Sequence, residues 1–93
     1  MNGQARLVAK VHGRVQRVGF RAFVLQEAGR LDLAGYVRNL AGGRVVEVEA
    51  EGERERLEEL LKLLYTGPLG AIVERVEAEW AAPAGYRGFD VKF

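Results

Sequence analysis

The chain has 93 residues, no cysteine, 48% hydrophobic side chains and a formal net charge of +1. That composition suits one domain over residues 1–93 with a modest core. It excludes disulfide scaffolds, thiol catalysis and Cys-ligated metals, makes no electrostatic case for nucleic acid or an anionic membrane, and contains no bilayer-length apolar run. Met1-Asn2-Gly3-Gln4 has no signal-peptide character, so a cytoplasmic protein is expected.

Arg6 to His12 alternates, with Leu7, Ala9 and Val11 on one face and Lys10 and His12 on the other. That period predicts a half-buried strand. A Gly-bounded loop runs from Gly13 to Gly19, and from Phe20 to Leu31 the apolar residues Phe20, Phe23, Val24, Ala28 and Leu31 recur at helical spacing. Asp32 follows the last helical turn. Leu33 to Leu40 predicts a second strand, Ala41-Gly42-Gly43 a tight turn, and Arg44 to Glu51 a third strand with Val46, Val48 and Ala50 inward and Glu47, Glu49 and Glu51 on a solvated outer face. A second helix is expected from about Glu53 to Tyr65, burying Leu57, Leu60, Leu61 and Leu64, and stopping at Thr66-Gly67-Pro68-Leu69-Gly70. Ala71 to Ala81 predicts a fourth strand with Val76, Ala78 and Trp80 on one face. Pro83-Ala84-Gly85 predicts a turn, and Tyr86 to Phe93 a last strand with Phe89, Val91 and Phe93 inward. The order βαββαβ, plus a strand, predicts an α+β ferredoxin-like sandwich: an antiparallel sheet, two helices on one face and an extra C-terminal edge strand.

The stretch Gly13-Arg14-Val15-Gln16-Arg17-Val18-Gly19-Phe20-Arg21 carries the chemistry. A loop that opens a helix converges backbone N–H groups, and the helix dipole favours an anion there. An Arg at its end adds a planar fork matched to phosphate. No Lys-Ser or Lys-Thr pair follows Gly19, so this is not a Walker loop, and the glycine spacing is wrong for a dinucleotide fingerprint. In Gly35-Tyr36-Val37-Arg38-Asn39, the alternation puts Asn39 on the face of Val37 and Gly35, where helices are expected and an amide needs partners. His12 and Trp80 are read as a solvated strand-end residue and a packing residue.

Together the two stretches resemble the acylphosphatase family. Its loop, Gly-x-Val-Gln-Gly-Val-Gly-Phe-Arg, matches Gly13, Val15, Gln16, Val18, Gly19, Phe20 and Arg21, and its second motif matches Gly35, Tyr36, Val37, Asn39 and Gly43. The similarity runs nearly the whole chain, to Phe89-Asp90-Val91-Lys92-Phe93. Arg17 stands where the family usually has Gly, and Asp32 where a Gly is common; both positions are candidates for left-handed backbone. The resemblance implies hydrolysis of a small acyl phosphate to a carboxylate and phosphate, without cofactor or metal. It implies that Arg21 holds the phosphoryl group, Asn39 orients water, and the loop from Gly13 through Arg14, Val15, Gln16, Arg17 and Val18 cradles phosphate oxygens. A monomer suffices. The alternatives are a non-catalytic anion-binding regulatory domain of the same fold, and an RRM-type RNA-binding module. Glu47 and Glu49 stand against the second, on the face where such modules stack bases.

Overall fold

The alternating apolar residues of the first, third and fourth strands meet in register. Leu7 lies between Ala50 and Trp80, Ala9 between Val48 and Ala78, and Val11 between Val46 and Val76. The computed structural model describes residues 3–93, and the N-terminal reading at Met1 and Asn2 lies outside the described residues. The elements are β1 (Gln4–Arg14), α1 (Phe20–Arg30), β2 (Ala34–Asn39), β3 (Val45–Glu53), α2 (Arg54–Thr66), β4 (Ile72–Ala81) and β5 (Phe89–Lys92). The strands form one sheet in the order β4-β1-β3-β2-β5.

Both helices cover the same face. α1 packs over β2 and β5, and α2 over β1, β3 and β4. α1 buries Phe20, Val24 and Ala28, and α2 buries Leu57, Leu60 and Leu64. These side chains close on Leu7, Val11, Val37, Val46 and Val48, all fully buried, and among the described residues no charged or amide residue is buried as a whole. Each such aliphatic side chain contributes roughly 1.5–3 kcal/mol by leaving water. Trp80 packs at the sheet edge as expected, with the Arg54 guanidinium 3.7 Å above its ring. Asp32 sits at φ 56°, the left-handed turn that a short polar side chain tolerates after a helix.

The ferredoxin-like sandwich is present, and its fifth strand makes the sheet mixed. β5 runs parallel to β2, from Gly35↔Phe89 to Arg38↔Lys92, while every other pairing is antiparallel. It begins at Phe89, not at Tyr86. The preceding backbone is claimed by a carboxylate: Glu51 accepts the N–H groups of Ala84, Gly85 and Tyr86. Phe93 was expected inward. Pairing with β2 stops at Lys92, and Phe93 projects past the ladder with 98% of its surface exposed.

The outer face differs from a plainly solvated glutamate row. Tyr86 and Tyr36 meet edge to face over it, and the Glu49 carboxylate accepts from Arg6, Tyr36 and Tyr86. Burial pushes the Glu49 carboxyl upward, but the hydrogen bonds from Tyr86, Arg6 and Tyr36 outweigh it and hold the group below the usual carboxylate range. Tyr36 is pushed up, first by burial and then by its bond to Glu47.

Candidate active site

The Gly-bounded loop joins the end of β1 to the start of α1. Its geometry follows from a few residues. Gly13 still belongs to the sheet: a side chain there would run into the Ile72 carbonyl of β4, and its N–H donates to the Arg44 carbonyl. Gly35 is the equivalent case in the second motif, pressed against the Glu49 backbone. Val15 then plunges into the core, anchoring the loop by burial. The Gln16 side chain donates to the carbonyls of Leu40 and Val45, at 2.8 and 2.9 Å. It thereby fastens the loop to the β2–β3 hairpin beside Asn39. Val18 packs against the core.

Arg17 and Gly19 both turn left-handed, with φ 63° and 79°. For Arg17 this is strained backbone, of a kind that costs about 1–3 kcal/mol and clusters at functional sites. The first intrahelical bond of α1 runs from Phe23 N–H to the Gly19 carbonyl. Gly19 has no side chain to cap the helix, and the first turn carries no acid. Among the described residues, no backbone carbonyl accepts from the N–H groups of residues 15–19. Val15, Arg17 and Gly19, whose N–H groups are among these unpaired donors, and the N-terminal end of α1 border one space.

That space is a cleft of about 360 Å³. Its polar side is made by Arg17, Gly19, Arg21 and Asn39. Asn39 ends β2 on the helix-covered face, as its parity predicts. Its Oδ1 is buried and has no hydrogen-bond partner among the described residues. A buried acceptor left unpaired costs about 1–3 kcal/mol, which a bound water or ligand donor removes. Arg21 makes no ion pair. Seven of the chain's other arginines, Arg6, Arg30, Arg38, Arg44, Arg54, Arg56 and Arg75, each reach a carboxylate. Arg14, Arg17 and Arg21, all in or beside this loop, do not, and neither does Arg87 ahead of β5. A cluster of uncompensated guanidinium groups next to free N–H donors is a site for an anion.

The structure therefore brings Val15, Arg17, Arg21 and Asn39 to one cleft. Gly13, Arg14, Gln16 and Val18 do not line it: Arg14 is exposed outside, Gly13 belongs to the sheet, and Gln16 and Val18 hold the loop in place. His12, at the strand end, is bonded to Glu77 and approached by Arg75, as a surface histidine would be. The apolar side of the cleft, Ala22, Leu25, Val91 and Phe93, was not anticipated. Leu25 gives the one usable sequence signal, since it is apolar yet lies off the buried stripe of α1.

Known proteins are similar to this chain over nearly its whole length. The family profile described as Acylphosphatase matches residues 7–91. A Thermus thermophilus protein named acylphosphatase is 55% identical over 86 residues, spanning 92% of this chain and 97% of that relative. An acylphosphatase structure from Coxiella burnetii superimposes with a TM-score of 0.92 at 36% identity, covering 97% of this chain and 94% of the other. One from Bacillus subtilis gives 0.91 at 33% identity, covering 96% and 99%.

Proposed function

The chain belongs to the acylphosphatase family, whose members hydrolyse acyl phosphates, and from that premise we propose which of its residues carry the reaction and how. The phosphoryl group sits between the Arg21 fork and the free N–H groups of the loop. Asn39 positions the attacking water through its unpaired Oδ1, which accepts a hydrogen from that water. This buried, partnerless oxygen in the same cleft as an unpaired Arg21 is the observation that carries the assignment.

Water attacks phosphorus, and the bond from phosphorus to the bridging oxygen breaks. The acyl phosphate dianion and water become a carboxylate and dihydrogen phosphate, so atoms and charge balance. The carboxylate leaves without a general acid, because its conjugate acid has a pKa of about 4. Asn39 is no base at neutral pH, and none is required: the water's protons remain on the phosphate product. What the protein supplies is position and charge stabilisation, which phosphoryl transfer chiefly needs. The side chains lining the cleft offer guanidinium, amide and apolar groups, and none of them is a carboxylate, imidazole or thiolate that would ligate a cation. This donor set suits an anion more than a cation, and we propose turnover without metal or cofactor, in a single-domain cytoplasmic monomer that needs no nucleic acid.

Hydrolysis of acetyl phosphate in ¹⁸O-labelled water, with and without a chelator, tests the scheme. Label is expected in phosphate and not in acetate, at a rate the chelator leaves unchanged. Label in acetate would place attack at carbon. Phosphate binding without turnover would make the chain an anion-binding domain.

A further inference from the structure

A net charge of +1 hides where the charges lie. The molecule is 39 Å long and 22 Å wide. The eleven residues of β1 span about 36 Å, so the long axis follows the strands. One end gathers the last residues of β1, β2 and β5, the first of β3 and β4, the start of α1 and the end of α2. Arg14, Arg17, Arg21, Arg38, Arg44 and Lys92 all stand there. Glu47 and Glu74 neutralise Arg38 and Arg44; Arg14, Arg17 and Arg21 reach no carboxylate. At the opposite end Arg54 and Arg56 reach Glu58 and Glu53, and Asp32, Glu51 and Glu55 add negative charge.

The large hydrophobic residues exposed in the described chain, Leu25, Tyr65, Leu69, Ile72 and Phe93, belong to the basic end too. Tyr65 is in the last turn of α2, Ile72 is paired with Arg14, and Leu25 and Phe93 border the cleft. Leu69, ahead of β4, and Phe93, after β5, stand wholly in water over opposite edges of the sheet. Four strand spacings, about 19 Å, separate those edges, and the loop arginines lie between them.

We infer that this end of the molecule docks reversibly on an anionic membrane surface. Arg14, Arg17 and Lys92 lie against lipid phosphates, and Leu69 and Phe93 dip below the headgroups. A lipid surface is broad and takes both kinds of side chain at once, cations at its headgroups and apolar groups beneath them. A nucleic acid would use the arginines but gains little from Leu69 and Ile72, which have no planar face for a base to stack on. No helix of the described chain is long and apolar enough to cross the bilayer, so the contact is peripheral. Because Arg17 and Phe93 also border the cleft, the docked chain holds its cleft towards the lipid.

Cosedimentation with vesicles tests this, using phosphatidylcholine alone and an equal mixture with phosphatidylglycerol, at low and at high salt. Binding is expected to the mixed vesicles only, and to weaken as salt rises. Arg14→Gln is expected to weaken it about fivefold, the share of one cation at the surface. Leu69→Ser is expected to weaken it about tenfold, through the apolar area no longer buried. Arg87→Gln makes the same change of charge at the opposite end, on an exposed arginine without a carboxylate, and is expected to bind as the wild type does. All three side chains are exposed, and circular dichroism checks that the fold is kept. Equal binding to both kinds of vesicle, binding to neither, or an Arg87→Gln loss matching that of Arg14→Gln would overturn the docking face. Tighter binding to a single-stranded oligonucleotide than to the mixed vesicles would overturn it in favour of a nucleic-acid site.

Discussion

At Arg21 and Asn39, geometry and chemistry separate binding from turnover. Arg21 offers two parallel N–H donors, whereas Lys offers a point charge. Arg21→Lys is expected to lose activity by about 10²–10³-fold, the usual cost of removing a preorganised donor, while keeping its circular dichroism spectrum. Asn39→Ala is expected to lower kcat about 10²-fold with phosphate inhibition retained, because it disturbs the water and not the anion. Phosphate affinity falling in step with kcat would make Asn39 a binding residue. Arg17 carries two expectations. Its φ of 63° is a conformation glycine adopts freely, so Arg17→Gly is expected to raise the unfolding free energy by about 0.5–1 kcal/mol in urea titration. The exposed guanidinium at the cleft rim is also expected to favour substrates with a second negative charge. Their advantage in kcat/KM should shrink in Arg17→Gly, and should shrink in the wild type as salt rises.

The elements of the fold act on these residues through the loop's attachments. Gln16 is the clearest case, its amide bridging the two carbonyls at the mouth of the β2–β3 hairpin. Gln16→Ala breaks two hydrogen bonds of about 1 kcal/mol each, and releases the loop from the strand that carries Asn39. A loss of about 1–2 kcal/mol in chemical denaturation is expected, together with a kcat loss larger than the change in KM. Most of this was legible in the sequence, because periodicity follows from burial. The faces of Leu7, Ala9 and Val11 and of Val46, Val48 and Ala50 could be read directly, as could the parity that turns Asn39 inward. What escaped depends on distant partners. Nothing local to Tyr86 says that a carboxylate on β3 will take its N–H. Nothing near Phe93 says that β2 ends where it does, and the inward alternation of Phe89 and Val91 pointed the wrong way for it. The role of Gln16 as a brace likewise needs the hairpin's position in space.

On the scale of the whole molecule, the outer face supplies the main dependence on pH. Glu49 is held below its ordinary value, so its stabilising bonds are complete above the unfolded pKa, near 4, and are lost as pH falls through the lower folded value. Stability is therefore expected to decline on acidification below about pH 4, and Glu49→Gln is expected to flatten that decline while lowering stability at neutral pH. Urea midpoints measured from pH 2.5 to pH 7 check both.

The cleft is built from parts with very different holds on the molecule. Its polar side hangs on β1 and Val15, deep in the best-paired part of the sheet, whereas its apolar side includes a four-residue strand paired on one edge only. Amide hydrogen exchange should resolve the two, with the central β1 amides protected to the global unfolding limit and those of β5 exchanging through a smaller, local opening. Such an opening is expected to displace Val91 and Phe93, which border the cleft. Warming is then expected to disturb the β5 side of the cleft before the loop side.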